Sequence, residues 1–124
     1  MSDTTSAVRV LVVDDQGVFR AAARAVVDAT AGFILAGEAT SGENALAQFP
    51  DIQPHLVLMD VRMPGIGGIE AARLIGEQHP DTVVVLLSAT PSEAVGGNNG
   101  HGSMILDKVR LSPGLLRSTW ESFS

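Results

Sequence analysis

Val8-Arg9-Val10-Leu11-Val12-Val13-Asp14-Asp15 decides the fold. Its apolar part is mostly β-branched and does not alternate with polar residues, as expected of a strand buried on both faces. Two carboxylates follow that strand directly. The same construction recurs along the chain. Residues 56–59 form an apolar run that ends at Asp60, residues 83–87 end at Ser88, and residues 104–106 lead to Lys108. Phe33–Ala39 reads as a further short strand. Five strand-like runs are thus laid out in order, and the polar residue after four of them carries ionisable or hydroxyl chemistry.

Helix-like segments separate these runs. Residues 17–30 place Val18, Ala22, Val26 and Ala29 at helical spacing. Ser41 or Gly42 opens a helix through Phe49, which Pro50-Asp51 stops. Met63-Pro64-Gly65 is a turn that Gly67 and Gly68 extend as loop, after which Ile69, Ala72 and Ile75 mark a helix face ending near His79-Pro80. The Gly- and Asn-rich residues 91–103 oppose helix, so a fourth helix there is expected to be short or disordered. Ser112 as N-cap and Pro113 at the first helical position start a last helix through Phe123. This alternation indicates an α/β fold with a mostly or wholly parallel sheet covered by helices on both faces. In such sheets ligands bind at the carboxyl ends of the strands, where the quoted polar residues lie.

Composition narrows the function. The chain has 124 residues, 45% of them hydrophobic, with a formal net charge of −6 and no cysteine. An acidic domain offers no electrostatic footprint for nucleic acid or an anionic membrane. Thiolate nucleophiles and cysteine-ligated metals are excluded. The longest apolar run is too short to span a bilayer, and residues 1–7 lack the basic and apolar regions of a signal peptide. A cytoplasmic protein is expected. His55, His79 and His101 fall in loop-like places and read as surface residues.

The chemistry follows from convergence. Asp14, Asp15 and Asp60 would repel one another unless a proton or a cation sits among them. Oxygen-only donors suit Mg²⁺. A carboxylate can itself be a nucleophile, and phosphoryl transfer mainly needs positioning and charge stabilisation. Asp60, alone at a strand end before a Pro-Gly loop, is the best nucleophile, while Ser88 and Lys108 could bond phosphoryl oxygens. Lys108 is the single lysine beside seven arginines, which suggests a site needing a compact ammonium. Taken singly, an Asp-Asp pair after a strand is usually a turn or cap, Ser88 a cap of the next segment and Lys108 a solvated strand end; it is their joint placement that argues for a site.

These segments resemble the receiver domain of bacterial two-component response regulators. Its carriers are Val10-Leu11-Val12-Val13-Asp14-Asp15, the stretch from Leu56 through Asp60 to Met63-Pro64-Gly65, Leu86-Leu87-Ser88-Ala89 and Leu106-Asp107-Lys108. The resemblance implies a flavodoxin-like, doubly wound five-stranded sheet of order 2-1-3-4-5, spanning residues 1–124 with 1–6 a flexible lead-in and no output domain. It implies Asp60 as acceptor of a phosphoryl group from a histidine kinase. Mg²⁺ would be held by Asp15, Asp60 and the backbone carbonyl of Arg62, with Asp14 acting chiefly through water. Ser88 and Lys108 would grip the phosphoryl group, and Ala89 would leave room for the donor.

On this reading the protein is a phosphoacceptor rather than an enzyme acting on an external substrate. The segment from Asp107 to Pro113 resembles receivers joined to LuxR/NarL-type DNA-binding output domains, which implies control of transcription. Two positions depart from the family pattern: Ile105 stands where an aromatic switch residue is usual, and Val109 where a proline often follows the lysine. The alternative is a receiver-fold interaction module that works without phosphorylation. A metal-dependent phosphatase would need an acid two residues after Asp60, where Arg62 stands. Pairing of two copies through the last strand and helix is an open alternative to a core role for Trp120, which the reading favours.

Overall fold

The computed structural model describes residues 7–89 and 104–123. Five strands, β1 (Val8–Val13), β2 (Phe33–Ala39), β3 (Leu56–Asp60), β4 (Val83–Ser88) and β5 (Met104–Asp107), form one sheet in the order β2-β1-β3-β4-β5. Every neighbouring pair is parallel. The helices are α1 (Gly17–Asp28), α2 (Gly42–Ile52), α3 (Gly67–Gln78) and α4 (Pro113–Glu121), with a short 3₁₀ turn at Lys108–Arg110. The expected doubly wound sheet is present. The expected short or disordered helix within 91–103, His101 and the lead-in 1–6 lie outside the described residues.

Strand parity sorts the core into two layers. Leu11, Val13, Val57, Met59, Val84 and Leu86 face α2 and α3, meeting Ala45, Phe49, Ala71, Ala72 and Ile75. Val10, Val12, Leu56, Leu58, Val85 and Leu87 face the other way, onto Ala23 and Val27 of α1 and Leu116 of α4, with Trp120 and Phe123 packed at the margin. Trp120 meets Phe33 edge-on at 6.4 Å, in keeping with a packing role. Arg9 sits in the apolar β1 because its guanidinium reaches out to donate to the Ile52 carbonyl at 2.6 Å.

Several boundaries and faces differ from those expected. In α1 the buried residues are Ala23 and Val27, whereas Val18 is 79% exposed. Alanine and valine occupy adjacent positions there (Ala22 and Ala23, Val26 and Val27), so two helical phases fit the pattern equally and packing selects the second. Helix α2 runs past Pro50 to Ile52. Proline near the end removes one internal bond only, and the Gln53 N–H still closes on the Phe49 carbonyl at 2.8 Å, with Gln53 in the left-handed region at φ 47°. Gly67 and Gly68 belong to the first turn of α3 rather than to the loop. The buried stripe of α3 is Gly68, Ala71, Ala72 and Ile75, and Ile69 is 52% exposed. Glycine is needed at 68 because a Cβ there would lie 2.1 Å from the Asp60 carbonyl oxygen. His79 is not a bare surface residue: its ring stacks on Phe49 at 4.4 Å. His55 is exposed, and its Nδ1 accepts from the Arg9 N–H at 2.9 Å.

Candidate functional site at the carboxyl rim

The ends of β1, β3 and β4 and the turn after β5 meet at one rim of the sheet. Asp14 directly follows β1, and its N–H donates to the Ala39 carbonyl of β2 at 3.0 Å. Its Oδ1 accepts from the Gln16 N–H at 2.9 Å, which folds the chain into α1 and turns the carboxylate inward. Asp60 is the last residue of β3, and its Oδ1 accepts from the Arg62 N–H at 3.4 Å. Ser88 ends β4 and is buried. One oxygen from each of Asp14, Asp15 and Asp60 lies within 4.8 Å of the others; Asp15 is exposed and the other two are buried.

Lys108 enters from just beyond β5, which runs one residue further than the expected Leu106. The register partner of Ser88 is Asp107, so Asp107 ends the strand and Lys108 opens the 3₁₀ turn. The Asp107 carboxylate accepts from the Val109 N–H at 3.1 Å and caps that turn. From there the Lys108 ammonium reaches Asp14 Oδ2 at 2.7 Å and Asp60 Oδ2 at 3.3 Å, with the side chain only 5% exposed. It also lies 3.8 Å from the centroid of the Phe19 ring. That aromatic face gives a desolvated cation a third partner. Phe19 and Gln16 are components that sequence reasoning missed. Phe19 looks like any apolar residue of a first helical turn, and only the fold brings Lys108 over it.

A polar cavity of about 220 Å³ opens at this rim, lined by Asp15, Gln16, Asp60, Arg62, Ser88, Ala89 and Lys108. Asp14 does not line it, being set behind Lys108. A second cavity of about 280 Å³, mostly apolar, is lined by Phe19, Val26 and Leu58 among others, with Asp14 and Lys108 also in its wall. The five groups that the sequence singled out, and the chain at Arg62, thus come together.

Three carboxylates against one ammonium leave the cluster with surplus negative charge. Burial pushes the Asp60 carboxyl above its usual range; Lys108 pulls it back, and the neighbouring Asp14 adds to the rise. The donor set is oxygen only and close enough to share one small cation, which fits Mg²⁺. Asp14 is the poorest placed of the three to give up an oxygen, because Lys108 already holds it.

The fold and this rim define a signalling receiver. The family model described as the response regulator receiver domain matches residues 10–99, and the chain belongs to that family, the receivers of two-component signalling. It is similar to the response regulator GacA of Pseudomonas protegens, at 43% identity over 81 residues, covering 65% of this chain and 38% of that protein. It is 34% identical over 87 residues to the chemotaxis protein CheY of Thermotoga maritima, covering 70% of this chain and 72% of that one. Among solved structures it resembles a LuxR-family two-component response regulator from Aurantimonas sp. SI85-9A1, with a TM-score of 0.77, 25% identity, and 95% and 85% of the two chains covered. The chain thus spans 38% of the length of GacA. The family match ends before β5, so it is the geometry that places Lys108 in the site.

Proposed function

We propose that this chain is a phosphorylation-controlled receiver whose phosphoacceptor is Asp60. The observation that carries the reading is the convergence of Asp14, Asp15 and Asp60 with Lys108 at the rim of a polar cavity. The donor is a phosphohistidine on a histidine kinase. An Asp60 carboxylate oxygen attacks phosphorus, the P–N bond breaks with its electron pair going to the imidazole, and an aspartyl phosphate remains. Lys108 exchanges its contact with Asp60 for a phosphoryl oxygen, retaining Asp14 as its anchor. The Ser88 hydroxyl donates to another phosphoryl oxygen, and Ala89 leaves the approach open. Asp15, Asp60 and the Arg62 carbonyl would hold Mg²⁺, with Asp14 acting through water, and the bound ion would neutralise charge on the phosphoryl oxygens. The protein acts here as a phosphoacceptor that assists its own modification, not as an enzyme with an external substrate.

The likeness to GacA and to a LuxR-family regulator supports control of transcription through a DNA-binding domain outside this sequence. A cytoplasmic setting accords with a kinase partner, and among the described residues no helix is long and apolar enough to cross a membrane. Labelling with a small acyl phosphate in Mg²⁺ tests the assignment. Wild type should become labelled and Asp60→Asn should not; a label that persists in Asp60→Asn refutes Asp60 as acceptor.

A second reading, partner binding that ignores phosphorylation, draws on Ile105. An aliphatic side chain packed against the α2/α3 core stands where receivers carry an aromatic switch. Partner affinity unchanged by Asp60→Ala and by phosphorylation would favour that reading.

A further inference from the structure

We propose that Glu43, on the first turn of α2, is a positioning residue for the Asp60 site; the inference rests on the phosphoacceptor reading above. The loop from Val61 to α3 is tied at its ends. The Val61 N–H donates to the Leu87 carbonyl at 3.0 Å, and the Gly68 N–H to the Val61 carbonyl at 2.9 Å. Between these ties lie Gly65 and Gly67, with φ of 87° and 76°. Glycines in that region give a loop many alternative backbones, so something must select one. Glu43 does so from 23 residues away, its Oε2 accepting from the Ile66 N–H at 3.2 Å. Its carboxylate also fills the space beside Gly65, where an added Cβ would lie 2.5 Å from Oε2. The side chain that Gly65 lacks is in effect replaced by the acid of another helix.

The support for Glu43 is itself fixed. Ser41 caps α2 by accepting from the Asn44 N–H at 3.0 Å, and Asn44 Oδ1 accepts from the Thr40 N–H at 3.1 Å. Gly42 is packed so closely that a Cβ there would lie 2.9 Å from that of Ala71 and 3.0 Å from Ile66 Cγ1. Glu43 is therefore a strut from a rigid helix end to a permissive loop. That loop carries the Arg62 carbonyl, assigned above to the metal, and the Arg62 N–H that donates to Asp60. Glu43 touches neither the phosphoryl group nor the metal; it sets the backbone that does.

The experiment compares the wild-type chain with Glu43→Ala, Glu43→Gln and Glu43→Asp. It reads Mg²⁺ affinity by calorimetry, exchange of the Ile66 amide, and acyl-phosphate labelling across a range of Mg²⁺. Glutamine keeps an acceptor oxygen at the right reach, whereas aspartate keeps the charge but is one methylene short. Glu43→Ala and Glu43→Asp should expose the Ile66 amide and weaken Mg²⁺ binding about tenfold, as loss of a supporting group around a metal site does. Their labelling should return to the wild-type level at high Mg²⁺. Glu43→Gln should stay close to wild type in all three. Unchanged Mg²⁺ affinity in Glu43→Asp, or a Glu43→Gln as weak as Glu43→Ala, overturns the proposal while leaving Asp60 as acceptor. Wild-type protein that neither binds Mg²⁺ nor takes the label overturns both.

Discussion

Replacing Lys108 by methionine should destabilise the metal-free protein and, at the same time, tighten its hold on Mg²⁺. Methionine keeps an unbranched stem to cover the Phe19 ring and removes only the ammonium. At the observed 2.7 and 3.3 Å, the attractions to Asp14 and Asp60 amount to about 6 and about 5 kcal/mol in an effective dielectric of about 20. Desolvation of the buried ammonium offsets several kcal/mol of this, and breaking a buried pair from one side typically costs about 3–5 kcal/mol. The cavity at the rim admits water to Asp60, so the lower end, about 3 kcal/mol, is expected. For a domain of this size that lowers the melting temperature by about 10 °C. Urea and thermal denaturation in chelated buffer measure the loss, and calorimetry measures the metal. The deficit should narrow when Mg²⁺ is added, because the uncompensated carboxylates then bind the cation that Lys108 had opposed. A Lys108→Met protein that melts at or above wild type without metal, or binds Mg²⁺ no more tightly, would show that the ammonium does not neutralise this cluster.

Three further outcomes follow from the same geometry. Asp60 binds its proton more readily in the folded chain than in the unfolded one. Its contribution is therefore fully present below the unfolded carboxylate value and is lost as pH rises through the raised folded value. Asp60→Asn should accordingly be more stable than wild type at neutral pH without metal, and acid titration of the melting temperature should close that gap. Gly68→Ala should cost about 3 kcal/mol and disturb labelling, because its methyl would be driven into the Asp60 carbonyl; denaturation and labelling at matched folded fractions separate the two effects. Ser112→Ala removes the oxygen that accepts from the Leu115 N–H at 3.1 Å and should cost about 1 kcal/mol in urea denaturation without altering Mg²⁺ affinity.

Much of the fold and site was legible because the sequence repeats one physical unit, an apolar run ending in a polar residue. Strand order and the shared rim follow from that unit once the resemblance to receivers is admitted. The phase of α1 was not legible, because neighbouring alanines and valines offer two equivalent stripes and only contact with the sheet distinguishes them. The start of α3 was misread for a related reason. Gly67 and Gly68 look like loop, but Gly68 serves a close approach of helix to strand, which no local pattern reveals. Lys108 was rightly placed after the fifth strand, but that strand ends at Asp107, one residue beyond the expected Leu106. Periodicity cannot tell a strand's last residue from the first of a turn. Phe19 and Glu43 lay beyond reach because each acts on a partner distant in sequence.

The turn that carries Lys108 has a consequence for how this molecule could change state. Sheet hydrogen bonds end at Asp107, so the cation is mounted outside the ladder on three residues with their own cap. Swinging the ammonium from one anion to another demands only a rearrangement of that small bracket, and no strand needs to slide or unzip. The central scaffold can serve as a stationary bench while the moving part weighs little more than one side chain.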